Sequence, residues 1–97
     1  MTEPELEIVD NPAEHRFEAR LDGQVIGITA YALEGSTITF THTETEPAFE
    51  GRGFGSRLAR GVLDAARARR LTVVPECPFI RTYMRRHREY ADLRRGR

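Results

Sequence analysis

Three features of this chain have the residue types and spacing for chemistry. The run FEGRGFGSRLARG (residues 49–61) holds four glycines and passes straight into a helix-like pattern. Backbone N–H groups at such a junction, backed by the helix dipole, favour an anion, and glycine lets the backbone approach it closely. The same cluster also serves as a plain turn leading into a helix. Cys77 is the only cysteine and stands between Pro75 and Pro78, after an apolar run. A free cysteine is commonly a small buried hydrophobe, but the start of a helix favours the nucleophilic thiolate. His42 lies just before the glycine run, where a base would be needed, and a Cys/His pair would fit nucleophile activation.

Two nucleotide-binding readings of the glycine run fail on spacing. A Walker-type loop needs a lysine before Ser or Thr, and all 15 basic residues here are arginine. The dinucleotide pattern G-x-G-x-x-G fails because Ser56 and Leu58 stand where a third glycine belongs. What remains is Gly53 and Gly55 ahead of a long amphipathic helix.

The elements that position these residues follow from hydrophobic period. HRFEARL (15–21) alternates Phe17, Ala19 and Leu21 with charged residues, and Asp22-Gly23 is a hairpin signal. QVIGITAYAL (24–33) is a second strand, Glu34-Gly35-Ser36 a second turn, and TITFTHTETE (37–46) a third strand. Strict alternation puts Ile38, Phe40 and His42 on one face and Thr39, Thr41 and Thr43 on the other. From Phe54 the apolar residues recur every three to four positions, predicting a helix to about Arg69. LTVVP (71–75) reads as a buried strand, and Pro78 suits the first position of a last helix striped by Ile80, Tyr83, Met84, His87 and Ala91. The expected fold is α+β, an antiparallel meander of three strands followed by helix, strand and helix (β-β-β-α-β-α). A right-handed crossover makes the third and fourth strands parallel.

Bulk properties bound the function. A chain of 97 residues fits one small domain, residues 1–97, with about 1–12 and 94–97 expected to be loose. Fifteen acids balance fifteen arginines, so no global field attracts nucleic acid or membrane. One cysteine, no long apolar run and an acidic N-terminus point to a cytoplasmic setting without a membrane segment. No metal site is expected. The arginines of the last helix (Arg81, Arg85, Arg86, Arg88) make a basic face, but no aromatic platform accompanies them, which disfavours nucleic acid.

HTETEPAFEGRGFGSRLARG, VPECPFI and HREYADL together resemble the small, minimal members of the GNAT acetyltransferase superfamily, over residues 15 to 93. The resemblance implies that the third and fourth strands splay apart and that acetyl-CoA lies in the gap. Its pyrophosphate would rest on the N–H groups of Arg52, Gly53, Phe54, Gly55 and Ser56, and Arg57 is a second nearby cation. A backbone N–H of the third strand, at Glu44, Thr45 or Glu46, would polarise the acyl carbonyl. In this family a cysteine in the context of Cys77 faces the acyl end and matches the catalytic position. His42 matches "HTE", and a tyrosine on the last helix, here Tyr83, would protonate the departing CoA thiolate. The larger superfamily carries Gln or Arg three positions before the first motif glycine, where this chain has Glu50.

Two functions follow. The first is acetyl-CoA-dependent transfer to an amine, directly or through Cys77, by a monomer or homodimer. The acceptor would be a small-molecule amine or a protein or peptide amine, because the chain lacks the elements that form an acceptor pocket in larger relatives. The alternative is a CoA-binding module without turnover.

Overall fold

A computed structural model describes residues 5–95. The elements are β1 (Leu6–Asn11), β2 (Arg16–Leu21), β3 (Gln24–Glu34), β4 (Thr37–Thr45), α1 (Phe54–Ala68), β5 (Thr72–Pro75) and α2 (Pro78–Arg86), followed by a 3-10 segment, Arg88–Arg95. One five-stranded sheet runs in the order β1-β2-β3-β4-β5; its first four strands are antiparallel and β5 is parallel to β4. The α+β class and the parallel crossover are as the sequence predicts.

The N-terminal expectation needs correction. Residues 6–11, expected to be loose, form β1, paired along its whole length with β2. Leu6 and Ile8 join the core from that strand. Ile8 lies so close to α1 that a Cβ on Gly61 would sit 2.7 Å from its Cγ1. Glycine therefore lets strand and helix touch. Residues 1–4 and 96–97, also expected to be loose, lie outside the described residues.

Phe17, Ala19, Tyr31, Ile38, Phe40 and Val73 share a core with Leu58, Val62 and Leu63 of α1 and Ile80 and Met84 of α2. The sharp β2–β3 turn uses Asp22 and Gly23 at φ 51° and 81°, the left-handed pair of a tight hairpin. The last helix is shorter than its stripe predicts. It stops at His87, φ −124° and ψ 82°, and the 3-10 segment buries Tyr90 and Leu93 and leaves Ala91 exposed.

On the opposite face of β2, Glu18 is only 2% exposed. Its carboxylate accepts from Asn11 Nδ2 at 2.9 Å, Arg16 Nε at 3.0 Å and Arg20 Nη2 at 2.7 Å. These bonds, Asn11 first and then Arg20, outweigh the desolvation and pull its pKa down to about 2.

Candidate functional site

β5 pairs with β4 only from Thr37 to Phe40, and Cys77 N–H then donates to Phe40 C=O at 2.8 Å. The chain turns at once into α2, so the edge of β4 beyond Phe40 loses its strand neighbour. Gly27 faces Thr45, and the next residue, Glu46, donates its N–H to Ile26 C=O at 2.7 Å. That is the pattern of a pair whose own backbone groups point away from each other. The amides of Thr45 and of Thr43, two residues back, therefore open into the gap left by β5.

The glycine run forms the other wall. Gly51 and Gly53 take φ 77° and 83°, and Gly53 caps α1. The first bond of α1 runs from Arg57 N–H to Gly53 C=O, so the N–H groups of Phe54, Gly55 and Ser56 have no acceptor within the helix. Between these amides and Thr43 and Thr45 lies a cleft of about 390 Å³, with Glu50 at its rim and Phe79 of α2 on its far side. Phe79 is 42% exposed, and its ring covers Gly55 so closely that a Cβ there would sit 3.0 Å from Cζ. Arg52 is held by the rings of Phe49 and Phe54, 5.5 and 5.3 Å from their centroids. Arg57 is exposed on the first turn of α1.

Cys77 is the N-cap of α2 and buried. Its Sγ lies 3.3 Å from Thr43 Oγ1, which lies 3.1 Å from Thr29 Oγ1. Thr43 lines the cleft, so it stands between the cysteine and the space where a ligand would lie.

His42 does not point inward as the alternation of its strand predicts. The β3–β4 register pairs Tyr31 with Phe40 but Ala30 with His42, leaving Thr41 as an extra residue. This β-bulge reverses the phase of everything after it. Thr43 thereby joins the face of Phe40, and His42 turns out, its side chain 58% exposed, with Nε2 2.7 Å from Glu44 Oε2. The histidine and the cysteine are thus on opposite faces and do not pair.

Thr45 borders both the cleft and a second hollow, of about 340 Å³. Glu44 and Glu46 line this second hollow with Arg16, Val25 and Ile28, and neither lines the cleft. Tyr83 lies outside the cleft lining, stacked on the His87 ring at 3.9 Å and 6.2 Å from the Tyr90 ring. Burial raises its phenol pKa, opposed by the charge of Arg60 on α1. Sequence reasoning missed Thr43 and Phe79. For Thr43 the regular Thr-x-Thr-x-Thr spacing hid the bulge, while Phe79 carried a signal in its place two residues after Cys77.

Residues 16–93 match the model of a family described as GCN5-related N-acetyl-transferase. Among solved structures, an NMR solution structure of a GCN5-like protein from Staphylococcus aureus is similar with a TM-score of 0.68. It is 23% identical, and the match covers 91% of this chain and 86% of that one, a likeness of fold. No curated protein matches the chain.

Proposed function

The chain belongs to the GCN5-related N-acetyltransferase family, and from that premise we propose that it binds acetyl-CoA in the β4–α1 cleft and transfers the acetyl group to an amine. The observation that carries this reading is the cleft itself. Unpaired helix amides at Phe54 to Ser56 face strand-edge amides at Thr43 and Thr45 across about 390 Å³. The first set suits a pyrophosphate, and the second suits a carbonyl oxygen that gains charge during acyl transfer. Acetyl-CoA supplies an activated thioester carbonyl; the residues of this chain hold and orient it. Arg52, pinned by two rings, and Arg57 supply positive charge near the phosphates, against Glu50 at the rim.

The acceptor amine would reach the carbonyl from the hollow beyond Thr45. Glu44, which lines that hollow, would take the amine proton as CoA leaves as its thiolate, while His42, which lines neither the hollow nor the cleft, would act only through its 2.7 Å contact with Glu44 Oε2. In a second route Cys77 accepts the acetyl group first. The bond from carbonyl carbon to the CoA sulfur breaks as the bond to Sγ forms, and the departing thiolate takes the proton that Cys77 gives up. Tyr83, outside the cleft lining, is not needed in either route. Glu50 favours one further reading, a CoA-binding module without turnover, because an acid at the rim weakens the grip on a polyanion.

Thermal unfolding with acetyl-CoA tests the cofactor assignment. A ligand at about 100 times its Kd adds roughly 2.7 kcal/mol, so a clear rise in Tm is expected, and no rise at millimolar acetyl-CoA rejects it. Intact mass after mixing with acetyl-CoA then separates the routes. A single acetyl adduct that Cys77→Ala abolishes marks transfer through the thiol. Amine acetylation that survives Cys77→Ala marks direct transfer, and neither marks the binding module.

A further inference from the structure

Thr29 and Thr43 are polar residues on the core face of the sheet. Thr29 is fully buried on β3, with Phe17 opposite it on β2 and Thr43 opposite it on β4. Its side-chain hydroxyl meets Thr43 Oγ1, and Thr43 Oγ1 meets Cys77 Sγ, so the three form one line from core to cysteine. A hydroxyl has one proton to give and two sites that accept. While Cys77 is a thiol, its S–H donates to Thr43 Oγ1, and either threonine hydroxyl can donate to the other. When Cys77 is a thiolate, the Thr43 hydroxyl turns about its Cβ–Oγ1 bond and donates to sulfur, and the Thr29 hydroxyl donates to Thr43 Oγ1 from behind. Both protonation states of the sulfur are then hydrogen-bonded, and the proton that the thiol gives up passes to the departing CoA thiolate during acyl transfer, or to solvent when the thiol is alkylated.

We propose that Thr43 is the positioning residue for Cys77, holding the buried sulfur directly behind the cleft wall and hydrogen-bonding it as thiol and as thiolate alike, with Thr29 as its buried anchor. The proposal rests on the reading of Cys77 as the acyl-accepting group. It gives the bulge at Thr41 a function, since without that extra residue Thr43 would face the other side of the sheet.

Alkylation of Cys77 by iodoacetamide, followed by intact mass, tests this with or without a working cofactor site. Thr43→Val keeps the branched shape and removes the hydroxyl, and its alkylation should be about tenfold slower, the scale of one hydrogen bond to a charged group. Thr43→Ser should stay within about twofold of wild type. Thr43→Val also strands the buried Thr29 hydroxyl and should lower Tm, whereas Thr29→Val/Thr43→Val should regain Tm and remain slow. A wild-type rate in Thr43→Val overturns the proposal. So does recovery of the rate along with Tm in the double variant, or a wild-type cysteine that iodoacetamide does not reach. The Tm rise with acetyl-CoA, measured on the same four proteins, reports the cofactor reading separately. Its absence in wild type sinks that reading, while the alkylation series still decides the role of Thr43.

Discussion

Glu18 shows how a single side chain can be worth more than its surroundings suggest. A carboxylate 2% exposed is costly unless paired, and here Asn11, Arg16 and Arg20 satisfy both oxygens. Its pKa in the folded chain is lowered from 4.5 to about 2. A depressed acid stabilises the fold fully above its unfolded pKa, and that contribution fades as pH falls through the folded value. The window is therefore pH 4.5 down to 2, and the amount is about 3 kcal/mol. Glu18→Gln should lose a similar amount at pH 7 and flatten the acid limb of a Tm-against-pH curve between pH 5 and 2. An unchanged acid limb would show that other carboxylates carry it. Gly55 offers a contrast, because its role is in binding. A methyl group there gains helix propensity of up to about 1 kcal/mol, but it presses on Phe79 and stands among the amides proposed for phosphate. Gly55→Ala is expected to keep or raise Tm and to weaken acetyl-CoA about tenfold by titration calorimetry.

At the scale of elements, β1 is held by a contact between strand and helix that leaves no room for a methyl group. A Cβ on Gly61 would meet Ile8 Cγ1, Cγ2 and Cβ at 2.7, 2.9 and 3.0 Å, atoms near the strand backbone that cannot swing aside. Overpacking costs typically 1–3 kcal/mol, against about 1 kcal/mol gained in propensity. Gly61→Ala should therefore lower stability by about 1 kcal/mol in urea unfolding, and Ile8→Ala in the same chain should recover part of it. A stabilised Gly61→Ala would mean that β1 yields freely. This strand was not legible in the sequence because LEIVDN alternates only weakly and sits in an acidic stretch. Its inward residues Leu6 and Ile8 gain meaning only once β2 and α1 exist to receive them. The hairpin at Asp22-Gly23, α1 and the crossover to β5 were legible because local chemistry alone specifies them. The glycine cleft and Cys77 at the cap of α2 could be found for the same reason. The orientation of His42 could not, since a bulge is a property of two paired strands and leaves no mark on either one.

For the molecule as a whole, neutrality conceals a division of charge. Residues 78–97 carry seven arginines against two acids, and the rest of the chain carries the matching acidic excess. A polyanion such as CoA therefore meets no uniform attraction at long range. Its capture depends on charges within about 10 Å of the cleft, the screening distance at 0.1 M salt. Glu50, exposed, is the acid that lines the cleft, and the cations of the adjoining glycine run and first turn of α1 are Arg52, held against Phe49 and Phe54, and Arg57. If Glu50 opposes the phosphates through solvent, Glu50→Gln should tighten acetyl-CoA several-fold at 20 mM salt, and most of that gain should vanish at about 500 mM as screening sets in. The mirror change, Arg52→Gln, should weaken binding more, because its guanidinium is held in place by two rings and loses little freedom when it meets a phosphate. Calorimetric titration of both variants at the two salt concentrations checks the pair. A Glu50→Gln gain that persists at high salt would point to a direct steric or hydrogen-bonding effect of that side chain. Opposite, salt-sensitive changes in the two variants would mean that a molecule with no net charge controls its anionic ligand through the balance of these few groups.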